Sequence, residues 1–284
     1  MRYLVLGSSG QVGAALCEYY RARNHDVELF DIVESAAQDL KIYQNKLLKE
    51  KMARCDFVFF LAFDVGGSRY LKKNQKTFDF VHNNMRLMAN TFECLKETGK
   101  PFIFTSSQMS AMNHSSYGVL KKIGEYYTSC LGGLIVKFWN IYGAEKDLEK
   151  SHVITDFILK AKNTRTIDML TDGKEARQFL YVEDCCECLD SLSARYHSLE
   201  KNKPYHISGF KWNTILEVAE EVASCFKGTA IKPSLNTDSV QRSEKLEPDK
   251  YILNYWTPKT SLRDGIRKVV SQYHVRYTNQ PESS

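Results

Sequence analysis

The segment Tyr3-Leu-Val-Leu-Gly-Ser-Ser-Gly-Gln-Val-Gly13 constrains the fold of this chain more than any other. The apolar run Tyr3–Leu6 reads as a short strand, and residues 12–23 carry a helical pattern. The turn between them is punctuated by Gly7, Gly10 and Gly13. Gly7 permits a tight turn, Gly10 lets backbone approach a bound group, and Gly13 lets the helix pack closely on the strand. A helix entered this way points its unpaired N–H groups at an anion. The spacing therefore predicts a dinucleotide phosphate site built from Gly7, Ser9, Gly10, Gln11, Val12 and Gly13. Asp31 follows Gly13 by 18 residues, at the end of the apolar run Val27–Phe30. A carboxylate there can accept from the adenosine ribose hydroxyls. It would repel a 2′-phosphate, and no arginine follows it directly, so NAD(H) is favoured over NADP(H). Taken alone, Asp31 reads as a surface turn carboxylate; the glycine turn before it gives it the other reading.

The rest of the first half repeats the alternation. Phe57–Leu61, Phe102–Phe104 and Leu134–Phe138 read as further strands, separated by helix candidates near 41–54, 80–97 and 117–130. Runs that are apolar at nearly every position suit strands covered on both faces. The expected fold class is α/β, a doubly wound parallel sheet. It occupies residues 1–145, with a smaller mixed α/β region over 146–284. Short strands are expected at 178–182 and 205–208, and either could return to the main sheet. Thr214-Ile-Leu-Glu217 is a capping box that opens a helix. Residues 236–249 are polar and read as loop, a last helix runs near 262–273, and the tail 280–284 is expected to be disordered. At 284 residues the chain is short for two independent domains.

Composition narrows the classes of partner. The net charge of +5 is spread out and makes no basic stripe, so nucleic acid is not expected. The longest apolar run, Phe57–Phe63, is far shorter than a membrane span, and no signal-peptide core follows Met1. A cytoplasmic protein without a membrane partner is expected, its cysteines reduced. Cys185-Cys-Glu-Cys188 lacks the paired spacing of a zinc site, so no metal is expected and the thiols read as small core side chains.

Tyr117-Gly-Val-Leu-Lys121 lies on one of the helix candidates. The i,i+4 spacing puts both side chains on one face. A phenol with a pKa of about 10 is a poor base near neutrality. A neighbouring ammonium would lower it and let Tyr117 exchange a proton with a substrate hydroxyl. Ser107, at the end of the run Phe104-Thr-Ser-Ser107, can bond the same oxygen. The plainer reading makes Ser107 a strand-end turn residue and Tyr117 a helix-surface aromatic.

The Gly-x-x-Gly-x-x-Gly spacing together with Ser107, Tyr117 and Lys121 resembles the short-chain dehydrogenase/reductase superfamily. Its extended branch, the nucleotide-sugar epimerase/dehydratase family, is matched by further segments. Ser116–Glu125 is similar to its Tyr–Lys helix, and Lys137-Phe-Trp-Asn-Ile-Tyr-Gly143 to its Arg-x-x-Asn-x-Tyr-Gly segment, with lysine where arginine is usual. Arg177-Gln-Phe-Leu-Tyr-Val-Glu-Asp184 and Trp256-Thr-Pro-Lys-Thr-Ser-Leu262 extend the likeness over essentially the whole chain. The resemblance implies a Rossmann-type sheet, a small substrate lobe, and a homodimer through helices near 80–97 and 117–130. It implies that Asp39 and Leu40 reach the adenine after a third strand, and that Leu61 and Ala62 end a fourth strand against the cofactor. Lys121 would hold the nicotinamide ribose, Asn84 would steady Lys121, Asn140 would contact the substrate, and Arg177 and Arg242 would clamp its pyrophosphate. Ser151-His152-Val-Ile resembles a segment that carries a catalytic histidine in the 3,5-epimerising reductases; His152 is a second acid–base group or a substrate contact, against the plain reading of a helix-cap residue.

Which reaction follows is left open between readings. Ser107 is followed by Gln108-Met109, where the 4,6-dehydratases carry an Asp-Glu pair and the 3,5-epimerising reductases a cysteine. Epimerisation at C4 of a nucleotide-linked sugar is the leading expectation, by transient oxidation with NAD. Reduction of a nucleotide-linked 4-ketosugar is the second. A dinucleotide-binding sensor without chemistry is the third.

Overall fold

The computed structural model describes residues 1–238, 240 and 246–278, the last five by their backbone alone. The chain runs β1 (Arg2–Leu6), α1 (Gln11–Arg21), β2 (Asp26–Phe30), α2 (Lys46–Arg54) and β3 (Phe57–Phe60). It continues through α3 (Ser68–Asn74), α4 (Phe78–Thr98), β4 (Phe102–Ser107), α5 (Ser116–Cys130), β5 (Leu134–Phe138) and β6 (Asn140–Tyr142). The second half adds α6 (Val153–Thr164), β7 (Thr166–Asp168), β8 (Ala176–Tyr181), α7 (Val182–Ala194), β9 (Tyr205–Ile207) and β10 (Trp212–Thr214). It ends with α8 (Ile215–Ser224), β11 (Ala230–Lys232) and α9 (Leu262–Thr278).

The phenylalanine-rich runs become central strands. The main sheet has the order β2-β1-β3-β4-β5-β9, and every pairing in it is parallel. Successive side chains on a strand face opposite ways. Tyr3, Val5, Phe57 and Phe59 therefore enter one core layer, and Leu4, Leu6, Val58 and Phe60 enter the other. Covering both faces by helices is what makes an alternating polar face unnecessary here. Each fully buried phenylalanine contributes about 1.5–3 kcal/mol of burial free energy.

The sheet reverses its direction of growth between β1 and β3. In open parallel sheets that switch point is where the crevice for ligands opens. Gly7 follows β1 with φ +87°, and a Cβ there would sit 2.7 Å from the Ala62 backbone nitrogen beyond β3. A Cβ on Gly13 would lie 2.0 Å from the Gly7 carbonyl oxygen. Both glycines are thus required by backbone contact alone.

Two expectations change. No strand forms between β2 and α2; a 3₁₀ turn at Ala36–Gln38 stands there, so Asp39 and Leu40 follow a turn rather than a third strand. The segment is too short and too polar for a strand and its return. Asn45 closes it instead, accepting from Leu48 N while donating to the Ala37 and Asp39 carbonyls. That cap starts α2 at Lys46, later than the periodicity suggests. In the second half, Tyr205–Ile207 returns to the main sheet as its sixth strand. Ala176–Tyr181 instead pairs with β6 and β10 in a separate three-stranded sheet. The capping box at Thr214 and Glu217 is formed, with bonds of 3.1 and 2.7 Å. Among the described residues, no helix is long and apolar enough to cross a membrane.

Candidate active site

A cleft of about 650 Å³ opens along the carboxyl ends of β1, β3, β4 and β5. Its walls include Gly7, Ser9, Gly10, Gln11, Val12, Gly13, Asp31, Asp39, Leu40, Leu61 and Ala62 at one side. Ser107, Tyr117, Lys121, Asn140 and His152 line it further along. The structure thus brings together on one cleft residues drawn from positions 7 to 152.

At the glycine turn the Asp31 carboxylate already has work. Oδ2 accepts from Ser9 N at 2.9 Å and Oδ1 from Val33 N at 3.0 Å. Two carboxylate oxygens offer about four acceptor sites, so capacity is left for a ligand hydroxyl. Ser9 Oγ donates to Glu34 at 2.8 Å, which sets a second carboxylate beside the first. Asp31 N is tied to the Gln38 side chain of the 3₁₀ turn. Gln11 Nε2 reaches across to the Gly143 carbonyl at 3.2 Å and links the turn to the end of β6. The turn passes a simple test of fit for a dinucleotide. A Cβ on Gly10 would meet only the Gly7 oxygen, at 3.4 Å, so this backbone faces open cleft. The α1 N-terminus has no side-chain cap, which leaves its N–H groups directed at a bound anion.

Ser107 closes β4, and its Oγ accepts from Met109 N at 3.2 Å. It also hydrogen-bonds the Tyr117 hydroxyl, which sits on the first turn of α5. Ser115 caps that helix by accepting from Gly118 N. A Cβ on Gly118 would lie 2.0 Å from the Met109 carbonyl, so α5 can press against the turn after β4 only because glycine follows the tyrosine. One helical turn on, Lys121 Nζ donates to the Thr105 carbonyl at 2.7 Å and lies 3.9 Å from the centre of the Phe63 ring. Its distance to the Tyr117 ring centre is 6.0 Å. Burial pushes the Tyr117 phenol up to about 12, only partly offset by Ser107. Burial also pushes the Lys121 ammonium down to about 7, against the pull of Glu125. The tyrosine shift is opposite to the direction that the motif alone suggests, because burial of the phenol outweighs its bond to Ser107.

Other residues stand differently from their expected places. Asn84 is fully buried and clamps the loop after β3, accepting from Asp64 N at 2.8 Å and donating to Asp64 O. Its contacts are with that loop rather than with Lys121. Asn140 Nδ2 donates to the Gln178 carbonyl at 3.3 Å. Arg177 lies away from the cleft walls, buried against Asp238 in an ion pair and donating to Ala176 O. Arg242 lies outside the described residues. Lys137, the substitute for arginine, is 3.2 Å from Glu125, whose Oε1 also accepts from Ser106 at 2.6 Å. Burial opposes the Glu125 charge, yet Ser106, Lys122 and Lys137 hold its pKa below the usual carboxylate value. On α4, one of the two helices through which a homodimer is expected, Phe80, Met88 and Phe92 are core.

Three residues on or beside the cleft gave no sequence signal. Phe63 faces Lys121, Glu34 faces Ser9, and Glu145 bonds His152 with 2.6 Å between Oε1 and Nδ1. Only their position beside a recognised motif, just past β3, Asp31 and Gly143, could have flagged them.

Sheet order, glycine turn and the Ser107–Tyr117–Lys121 set define an extended short-chain dehydrogenase/reductase. The NAD dependent epimerase/dehydratase family matches residues 3–208, and the chain belongs to it. Among curated relatives it is 24% identical to UDP-glucuronic acid decarboxylase 1 of Arabidopsis thaliana, over 99% of this chain and 72% of that protein. It is 26% identical to the GDP-L-fucose synthase of Sinorhizobium fredii, over 94% of this chain and 93% of that one. Among solved structures, the UDP-glucose 4-epimerase of Thermotoga maritima with UDP-glucose superposes with TM-score 0.81 at 16% identity, covering 98% of this chain and 100% of that one. The Bordetella bronchiseptica enzyme WbmF in complex with NAD+ and UDP gives TM-score 0.81 at 19% identity, with 98% and 93% covered.

Proposed function

We propose that the protein is an NAD-dependent enzyme that epimerises a nucleotide-linked sugar through transient oxidation at C4. The observation that carries this reading is the Ser107–Tyr117 hydrogen bond on the same cleft as the glycine turn and Asp31. Bound NAD would accept and return two electrons and one hydrogen at the sugar carbon.

The chain's own residues do the rest. The N–H groups at Gly10–Gly13 receive the pyrophosphate, and Asp31 receives the adenosine ribose. Glu34, held beside it, adds to the repulsion of a 2′-phosphate and so favours NAD over NADP. Asp39 and Leu40 flank the adenine, and Leu61 and Ala62 form the wall beside the nicotinamide end. Tyr117 takes the proton of the substrate hydroxyl and gives it back, while Ser107 bonds the same oxygen. A phenol raised to about 12 releases its proton only when positive charge is near, which Lys121 supplies in its protonated form. Asn140 and, once freed from Asp238, Arg177 face the sugar nucleotide; Arg242 is assigned the same task. Gln108 and Met109 follow Ser107 in a 3₁₀ turn, so the residues after it offer no carboxylate pair for elimination.

A panel of UDP-, GDP- and dTDP-linked sugars tests the reading. Epimer should form with catalytic NAD and no net change in NADH absorbance. Tyr117→Phe should lower turnover by about 100-fold or more while NAD still binds. Consumption of one NAD(P)H per product would replace epimerisation by ketosugar reduction, the reading favoured by His152 on the cleft and by the likeness to a GDP-L-fucose synthase. Release of CO₂ from a UDP-uronic acid would replace it by the reaction that the Arabidopsis relative is named for. NAD binding with no turnover on any sugar would leave a sensor. We also infer a cytoplasmic homodimer; Val119, Tyr126 and Tyr127 are exposed on α5 and available to a second copy, which sedimentation can check.

A further inference from the structure

Glu145 lies just beyond β6, two residues past Gly143 at the cleft wall. Its side chain is 7% exposed, while that of His152 is 44% exposed on the cleft. Glu145 Oε2 accepts from the His152 backbone N at 2.9 Å, and Oε1 lies 2.6 Å from His152 Nδ1. The Thr155 hydroxyl bonds the same carboxylate. The Glu145 backbone is gripped as well: its N–H donates to the Tyr273 hydroxyl at 2.9 Å, and that hydroxyl donates to its carbonyl at 3.0 Å. The carboxylate is therefore held by donors from α6, and its backbone by α9, the helix that closes the second half. Burial opposes its charge, but the His152 and Thr155 donors hold its pKa below the usual value. An ionised carboxylate only accepts, so the proton between Oε1 and Nδ1 belongs to the ring.

We propose that Glu145 is a positioning residue that fixes His152 as the Nδ1–H tautomer and presents its unprotonated Nε2 to the cleft. The tautomer of a histidine is set by the bond that its other nitrogen makes. Nε2 then accepts from, or takes a proton from, a hydroxyl or an acidic C–H of the substrate, a second proton-handling point besides Tyr117. This role in turnover rests on the reading of the cleft as a nucleotide-sugar site. The tautomer itself does not.

Glu145→Gln separates the two. Glutamine has the same shape but one acceptor and one donor end. Its oxygen must keep the His152 backbone N–H, which leaves the NH₂ facing Nδ1. That pairing requires Nδ1 to accept, so the ring must invert to Nε2–H. Imidazole ¹⁵N correlation spectra read this directly, at neutral to mildly alkaline pH, on the protein with labelled histidine. The His152 signals are those missing in His152→Gln. The wild type should show Nδ1–H with a bare Nε2, and Glu145→Gln should show the reverse. Thr155→Val, which removes one donor and neither His152 bond, should keep the wild-type pattern. On a sugar that is turned over, Glu145→Gln should lower kcat by about 100-fold with little change in KM.

A wild-type ring that is Nε2–H or doubly protonated overturns the proposal, and so does an unchanged pattern in Glu145→Gln. Inversion of the ring with unchanged kcat overturns the positioning role. If the variant does not fold, the wild-type spectrum still decides the tautomer. Should no nucleotide sugar be turned over, the spectra still decide the tautomer and only the functional reading fails.

Discussion

Lys121 has to carry charge where burial lowers its pKa from 10.5 to about 7. The folded value lies below the unfolded one, so between those two pH values the unfolded chain binds more protons at this site. Stability from this group therefore rises with pH across that window. The penalty is complete below the folded value and gone above the unfolded one. Lys121→Met removes the dependence. Its stability relative to wild type should fall as pH rises from about 7 to 10.5, by at most about 5 kcal/mol. Urea unfolding of both proteins in pH steps checks this, and parallel profiles would sink it. Tyr117 and Lys121 were legible in the sequence because four residues on a helix is a fixed distance in space. Glu145 and His152 are seven apart across a loop, and Arg177 and Asp238 are 61 apart. No local period encodes either separation, so those contacts were invisible until the chain was folded.

The glycine turn makes two opposite demands on neighbouring elements. Gly13 is fixed by packing: an added Cβ would fall 2.0 Å from the Gly7 oxygen. A Cβ on Gly10 would lie 3.4 Å from that oxygen, an ordinary contact, and would otherwise face the open cleft. Gly13→Ala should therefore cost about 1–3 kcal/mol of stability or more, lowering Tm and NAD affinity together. Gly10→Ala should leave Tm nearly unchanged and weaken NAD binding alone. Calorimetric titration of each variant beside its thermal unfolding separates the two effects; a Gly10→Ala protein with full NAD affinity would count against the turn as phosphate cradle. The loop carrying Asp238 makes a second, tertiary link to β8. Both members of its ion pair with Arg177 are about nine-tenths buried. Removing one partner of such a pair strands a charge, at a cost of about 3–5 kcal/mol. Asp238→Asn should show that loss, and the double variant Arg177→Met with Asp238→Leu should show less than Asp238→Asn alone. Urea midpoints test it. Strands whose runs are apolar throughout were readable element by element. No apolar run between Phe30 and Phe57 reads as a strand and none forms there; the expectation of one came from the superfamily pattern, which residues 31–45 are too few and too polar to meet.

At the scale of the molecule, the core does not stop where the chain leaves the main sheet. One apolar layer joins Tyr3, Val5, Leu16 and Cys17 of the first half to Cys185, Cys186, Leu189, Ile252 and Val269 of the second. Domain boundaries fall where few contacts cross, and this layer crosses the midpoint of the chain. Of the cysteines, Cys17, Cys185, Cys186 and Cys188 lie in this layer and report on it, while Cys55 and Cys94 lie in the layer on the other face of the sheet. Six of the eight are buried, Cys17, Cys55 and Cys94 in the first half and Cys185, Cys186 and Cys188 in the second; Cys130 is exposed and Cys225 partly so. Burial raises the buried thiols, to about 11 at Cys55 and Cys94 and to about 12 at Cys17, and so suppresses the reactive thiolate. In the native protein, Cys130 should be labelled fast, Cys225 more slowly, and the other six only on unfolding. If the layer makes the chain one cooperative unit, the three first-half and three second-half thiols should open at the same urea concentration. Pulsed alkylation followed by peptide mass spectrometry across a urea series reads each thiol separately. Saturating NAD should shift all six together, by about 2.7 kcal/mol at 100 times its Kd, because it binds only the folded cleft. Labelling of Cys185, Cys186 and Cys188 at distinctly lower urea than Cys17 would show that the second half opens on its own and that the shared layer does not couple them.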